Sequence, residues 1–229
     1  MGSPDTTPSL GNKAPDYIAS SLRAAIGSCT FVAPFIAPMM AEVIGHLIPN
    51  QRVDRLERFM KALDTRLANL GHPLPDDRWS EPVAIDLMED AFWQSARATS
   101  QERIEYIATL LTNSLSAEEL QHERSKRLMG LLGLMSDAEL IVLLSSLNSH
   151  TYQRDPGLYD CHKDILDPIT RSEGDDDAYL DATAIRQARH SSLERLGLLK
   201  ETTSLAADTV TRLGFMLLVE VGLATPEEY

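Results

Sequence analysis

A chain of 229 residues with 43% hydrophobic and 24% charged positions is long enough for one large domain or two small ones, and its composition is that of an ordinary globular protein. Its formal net charge of −13 surrounds it with an acidic field that repels nucleic acid over most of the surface, so a nucleic-acid role requires a local basic patch. The two cysteines, Cys29 and Cys161, are too few for a disulfide framework and too far apart for a metal-ligand pair, a count that suits a reducing cytoplasm, where the chain is expected to reside.

Aromatic residues make up 6% of the chain and β-branched runs are scarce, while Leu, Ala and Met supply the apolar content, which predicts a mainly α protein. Residues 1–14 are small and polar, with no basic region leading into an apolar core, and read as a flexible leader. A helix is expected from Pro15 to Ala25. It runs into the longest apolar stretch, residues 24–48, in which no charge occurs from Ala24 to Ala41, 18 residues, near the lower limit for a membrane-spanning helix. Pro34 and Pro38 each remove a backbone donor and crowd the preceding turn, so the expected form is a broken helical hairpin. Phe31, Val32, Phe35, Ile36, Met39 and Met40 are its apolar residues. Two destinations stay open for them: the innermost layer of a helical core, or a membrane entered when a trigger releases the hairpin. Glu42 and His46 stand four apart at its edge and can meet on one helical face. They make either a packing hydrogen bond or a pH-sensitive latch.

Past Pro49 the pattern becomes regular. Val53, Leu56, Met60, Leu63, Leu67 and Leu70 recur at intervals of three and four opposite a charged face, which predicts an amphipathic helix closed by Gly71 in a left-handed cap. Ser80 is the expected N-cap of the next helix, which runs to about Arg97 with Val83, Leu87, Met88, Ala91, Phe92 and Ala96 inward. Ser100 caps another, with Ile104, Ile107, Leu111 and Leu115 inward. Ser116 to Glu119 reads as a capping box opening a helix through Leu120, Leu128 and Leu131, and Ser136 to Glu139 as a second box opening Asp137–Leu147. Residues 15–135 are taken as one helical domain and 136–229 as a second.

From His150 to Asp181 nine acids stand against three bases, an acidic loop with a short helix expected in its middle and a solvated, mobile Gly174–Asp177. Asp181 then caps a helix with Ile185, Ala188, Leu193 and Leu196 inward, ending at Gly197. Two extended pieces follow, around Leu198–Thr203 and Asp208–Thr211, and a last helix over Arg212–Val221. The phrases HSSLERLGLLKET and TRLGFMLL resemble the third helix, the entry to the wing and the start of the closing helix of winged helix-turn-helix proteins. The expected fold is therefore a helical N-terminal bundle around the hairpin, followed by a winged-helix-like α+β module. The whole arrangement also resembles the bacterial abortive-infection alpha family and its uncharacterised relatives. That resemblance implies a phage-defence role and carries no catalytic residues.

Arg186, Arg189, His190 and Arg195, with Lys200 nearby and Glu194 the one acid among them, form a candidate basic face for DNA or for a protein partner. The acidic loop of the same module would oppose the counterion release that drives DNA binding. His150, Cys161 and His162 lack the paired spacing of zinc ligands, so no metal or cofactor is expected. Asp86, Glu89 and Asp90 share one helical face, a spacing open to acid–base work but as often a wet surface. Nucleophile and phosphate-loop motifs do not occur in the sequence. The expected function is a non-enzymatic interaction component acting on a protein partner or on itself, with conditional membrane association through 24–48. The alternative is a DNA-binding transcriptional regulator.

Overall fold

A computed structural model describes residues 50–71, 74–117, 122–150, 156–170, 176–200 and 209–228. The leader, the helix from Pro15, the apolar hairpin with Phe31 to Met40, and the Glu42–His46 latch lie outside the described residues. The described residues are mainly helical, with one small two-stranded sheet among them. Its described helices are α1 (Asn50–Ala68), α2 (Pro82–Arg97), α3 (Gln101–Ser116), α4 (His122–Leu134), α5 (Asp137–His150), α6 (Pro156–Cys161), α7 (Lys163–Leu166), α8 (Asp176–Arg195) and α9 (Arg212–Glu220), with strands β1 (Leu199–Lys200) and β2 (Thr209–Val210) between the last two. The chain divides into two compact units, Met1–Ala108 and Thr109–Tyr229.

In the first unit the α1 stripe is inward as its spacing predicts: Leu56, Met60, Leu63 and Leu67 are buried, joined by Phe59. Phe59 meets Phe92 of α2 edge to face, with centroids 5.3 Å apart, the arrangement that aromatic quadrupoles favour. Arg66 pairs with Glu105 at 2.6 Å. Two expected caps are not formed. Gly71 is not left-handed; the helix frays through Asn69 N–H to the Thr65 and Arg66 carbonyls. Ser80 closes a 3-10 turn over Asp76–Ser80, its hydroxyl donating to the Asp77 carbonyl, while Glu81 is the N-cap residue of α2 and Pro82 stands in its first turn. That turn buries Trp79, which had no periodic signal to reveal it. Ser100 does cap α3, accepting from Arg103 N–H at 3.1 Å.

In the second unit α5 is the hub, with α7, α8, β2 and α9 packed against it. Its capping box is complete: Ser136 N–H and Oγ both donate to Glu139 Oε2, at 2.6 and 2.9 Å, and Glu139 N–H returns to Ser136 Oγ at 3.2 Å. Ser116 ends α3, its hydroxyl donating back to the Asn113 carbonyl; the rest of that expected box and Leu120 fall on 118–121, outside the described residues. The acidic segment carries two short helices, α6 and α7, and Asp176 and Asp177 are the first turn of α8 rather than a loop. Asp181, the expected cap, lies inside α8. At its other end α8 closes as expected: Gly197, at φ 74°, sits in a Schellman turn with Leu198 N–H on the Leu193 carbonyl and Gly197 N–H on that of Glu194.

The spacing of Thr211 and Gly214 in TRLGFMLL has a physical basis here. Thr211 caps α9 by accepting from Gly214 N–H, donates its hydroxyl to the Gly197 carbonyl at 2.7 Å, and bonds through its N–H to Leu198 O. β1 and β2 pair antiparallel, Leu199 with Val210. Gly214 is buried so close to Leu198 that a Cβ would collide with that residue's carbonyl oxygen. Gly130 on α4, by contrast, has open space around it. Gly214→Ala should therefore lose about 1–3 kcal/mol through overpacking, whereas Gly130→Ala should gain about 0.4–1 kcal/mol by helix propensity. Urea unfolding of the two variants checks both signs.

Candidate functional site

The sequence placed the arginines of α8 outward and Ile185 and Ala188 inward; the helix is turned the other way. Ile185 is 55% exposed, Leu180 is 61% exposed, and Ala184 and Ala188 are exposed with them. The inward arc holds Tyr179, Ala182, Thr183, Arg186, Arg189 and His190, all half-buried, and Leu193, which is 0% exposed. Leu196 is half-buried. The expected Ile185 and Ala188 core positions are thus surface positions. Short-range periodicity cannot settle this, because Leu180, Ile185 and Leu193 do not fall on one helical arc.

What turns the helix is visible in its polar contacts. Arg186 Nη2 donates to the Leu166 carbonyl at 2.9 Å, at the end of α7. The Ser192 hydroxyl donates to the Glu139 carboxylate, which also feels the Arg189 charge. Burial pushes the Glu139 pKa up, but the Ser136 N–H, the Ser192 and Ser136 hydroxyls and Arg189 outweigh it and hold the carboxyl below its usual range. His190 Nδ1 lies 3.0 Å from the Arg186 carbonyl of its own helix, which requires the proton on Nδ1. Arg195, near the C-terminal end, is exposed, as is Lys200. The four candidate contact residues therefore separate: Arg186, Arg189 and His190 sit together on the inward arc, and Arg195 is left at the outer end.

The outward face of α8 is consequently apolar in its middle and charged at its ends. Asp177 and Asp181 stand at the acidic end, Leu180, Ala184, Ile185 and Ala188 follow with the exposed Gln187 among them, then Ser191 and Arg195. Leu180 and Ala184 were not singled out by sequence; their signal, an apolar stripe flanked by acids, reads as core when the helix azimuth is unknown.

Elsewhere, a cleft of about 510 Å³ is lined by His122, Arg124, Arg127 and Leu128 of α4 and by Leu213 and Met216 of α9. Arg124 is committed there to Glu220 of α9. Asp86 and Asp90 are half-buried and Glu89 exposed on α2. Cys161 is exposed and His162 half-buried, and among the described residues no group of three or more His, Cys, Asp or Glu is placed to hold a metal ion. Among those residues no single helix is long and apolar enough to cross a membrane; α4 and α5 reach that length and apolarity only jointly, bent by 114°. Compared with known proteins, the chain matches no family model, no curated protein and no solved structure.

Two outcomes follow from this geometry. Ile185→Asp should leave stability within about 0.5 kcal/mol of wild type, as for other surface changes, while Leu193→Ala should cost about 2–5 kcal/mol; an inward Ile185 would give the reverse in chemical denaturation. Glu139→Gln should lose about 1 kcal/mol at neutral pH through the broken cap. Because the folded carboxyl has the lower pKa, its contribution is present above the unfolded carboxyl's range and is lost as pH falls through the folded value. The gap between wild type and Glu139→Gln should narrow and close as pH falls below the ordinary glutamate range.

Proposed function

We propose that the protein is a non-enzymatic interaction component that binds a protein partner through the outward face of α8. The observation that supports this is the inversion of the helix: Leu180 and Ile185 are exposed at 61% and 55% while Arg186 and Arg189 are turned inward. Exposed large apolar side chains on the outward side of one helix, rimmed by charge, are a usual mark of a protein contact surface. A phage-defence setting rests on the sequence resemblance to the abortive-infection alpha family, and conditional membrane association on the apolar composition of residues 24–48.

The regulator reading has its own support. The order α5, α6–α7, α8, β1, β2, α9 is that of a winged helix-turn-helix, in which α8 would enter the major groove. Its cost is electrostatic: the outward face would offer DNA the carboxylates of Asp177 and Asp181 and the single guanidinium of Arg195. Phosphate neutralisation needs several cations on one surface.

Two measurements decide between them. Fluorescence anisotropy with a labelled duplex at low salt should show no saturable binding; binding that disappears in Arg186→Ala and Arg189→Ala would sink the interaction reading. In cells of its natural host, a photo-crosslinking residue at position 185 should yield protein adducts, and the same group at exposed Lys163 should not.

A further inference from the structure

Building on the interaction reading, we infer that the partner of the α8 face is a second copy of this chain, with the two α8 helices packed antiparallel about a two-fold axis. The outward line of α8 reads the same in both directions except in charge. Asp177, Ala184, Ala188 and Arg195 follow one another at spacings of seven, four and seven residues, so all four lie along one stripe of a 3.6-residue helix. An antiparallel copy sets Asp177 against Arg195 of its mate at both ends, and Ala184 against Ala188 at the centre. This is the self-complementarity that a two-fold interface demands: residue i meets j and j meets i.

Charge selects this orientation. The stripe from residue 177 to 195 is about 27 Å long at 1.5 Å per residue, more than the Debye length of about 8 Å at physiological salt, so its two ends act independently. A parallel pair would set Asp177 and Asp181 against their own copies at one end and Arg195 against itself at the other. The antiparallel pair turns both ends attractive. Shape agrees with charge, since the alanines form a hollow along the stripe and the exposed Leu180 and Ile185 flank it on its two sides. At about 10 Å wide the stripe covers roughly 300 Å² a side, short of the about 800 Å² per partner of a standard interface. The dimer is therefore weak and exchanging rather than permanent.

Sedimentation velocity at about 0.15 M salt, from micromolar to millimolar protein, is the test. Wild type should pass from monomer to dimer across that range, and Ile185→Asp, checked by the same denaturation measurement to keep the fold, should remain monomeric. Asp177→Arg and Arg195→Asp should each weaken association about tenfold, because two attractive pairs become repulsive. The double variant Asp177→Arg/Arg195→Asp should recover wild-type association, an outcome a merely structural role for either residue would not produce. The inference is overturned by a wild type that stays monomeric, by a dimer indifferent to Ile185→Asp, or by a double variant that is not rescued. Cross-links from position 185 to foreign proteins without self-adducts would also overturn it while leaving the interaction reading in place. The absence of any adduct would remove both.

Discussion

In the second unit the start of α5 and the azimuth of α8 meet at one carboxylate. Glu139 accepts from Ser136 N–H and Oγ, so it closes the first turn of α5, and it also accepts from Ser192 and faces the charge of Arg189 on α8. A single side chain thereby helps set both the start of the hub helix and the azimuth of α8, the longest of the described helices. Arg186, six residues before Ser192, supplies a second anchor on the Leu166 carbonyl. Two anchors about 9 Å apart along the axis resist rolling better than either would alone. Rolling α8 to bury Leu180 and Ile185 would gain about 1.5–3 kcal/mol for each. It would also expose Leu193, now 0% exposed, and break hydrogen bonds to charged groups that contribute about 1.5–3 kcal/mol each. The two sides offset, so the polar anchors decide the face.

That balance explains which features were legible in the sequence. Ser100 and the Ser136–Glu139 box could be read because their bonds close within three residues. The stripe of α1 could be read because its apolar positions leave one consistent arc. Gly197 and Gly71 looked alike, yet only Gly197 adopts the left-handed turn. The difference lies one residue on: Leu198 follows Gly197 and is fully buried, as the Schellman turn favours, whereas His72 follows Gly71. The azimuth of α8 was not legible, because its determinants, Glu139 and the Leu166 carbonyl, stand 47 and 20 residues before Arg186 in the chain. Counting arginines on α8 therefore found a basic surface where the fold uses the same residues as ties.

The same use of arginine recurs. Arg55 Nη1 reaches the Ala96 carbonyl near the C-terminal end of α2 at 3.4 Å, Arg186 reaches the last carbonyl of α7, and Arg124 pairs with Glu220, the last residue of α9. Cations near helix C-termini meet carbonyls left without intrahelical partners and the negative end of the helix dipole. In a chain of net charge −13, guanidinium groups committed in this way are less available to a polyanion, even where, as at Arg124, the side chain is exposed. The acidity of the chain and the commitment of these three arginines thus act in one direction.

Acidity also governs what the apolar face can do. Leu180 and Ile185 exposed on a neutral helix would invite indiscriminate association. On α8 they share their face with Asp177 and Asp181, whose charge must be matched by any occupant before the apolar contact closes. A partner presenting carboxylates opposite that end is repelled, and one presenting a cation there is drawn in. Specificity is a difference between affinities, and the repulsive element contributes as much to it as the apolar one. On the proposed reading, the face that the anchors of α8 leave outward would be selective for that reason, its selectivity set by the charge at its ends as well as by its apolar middle.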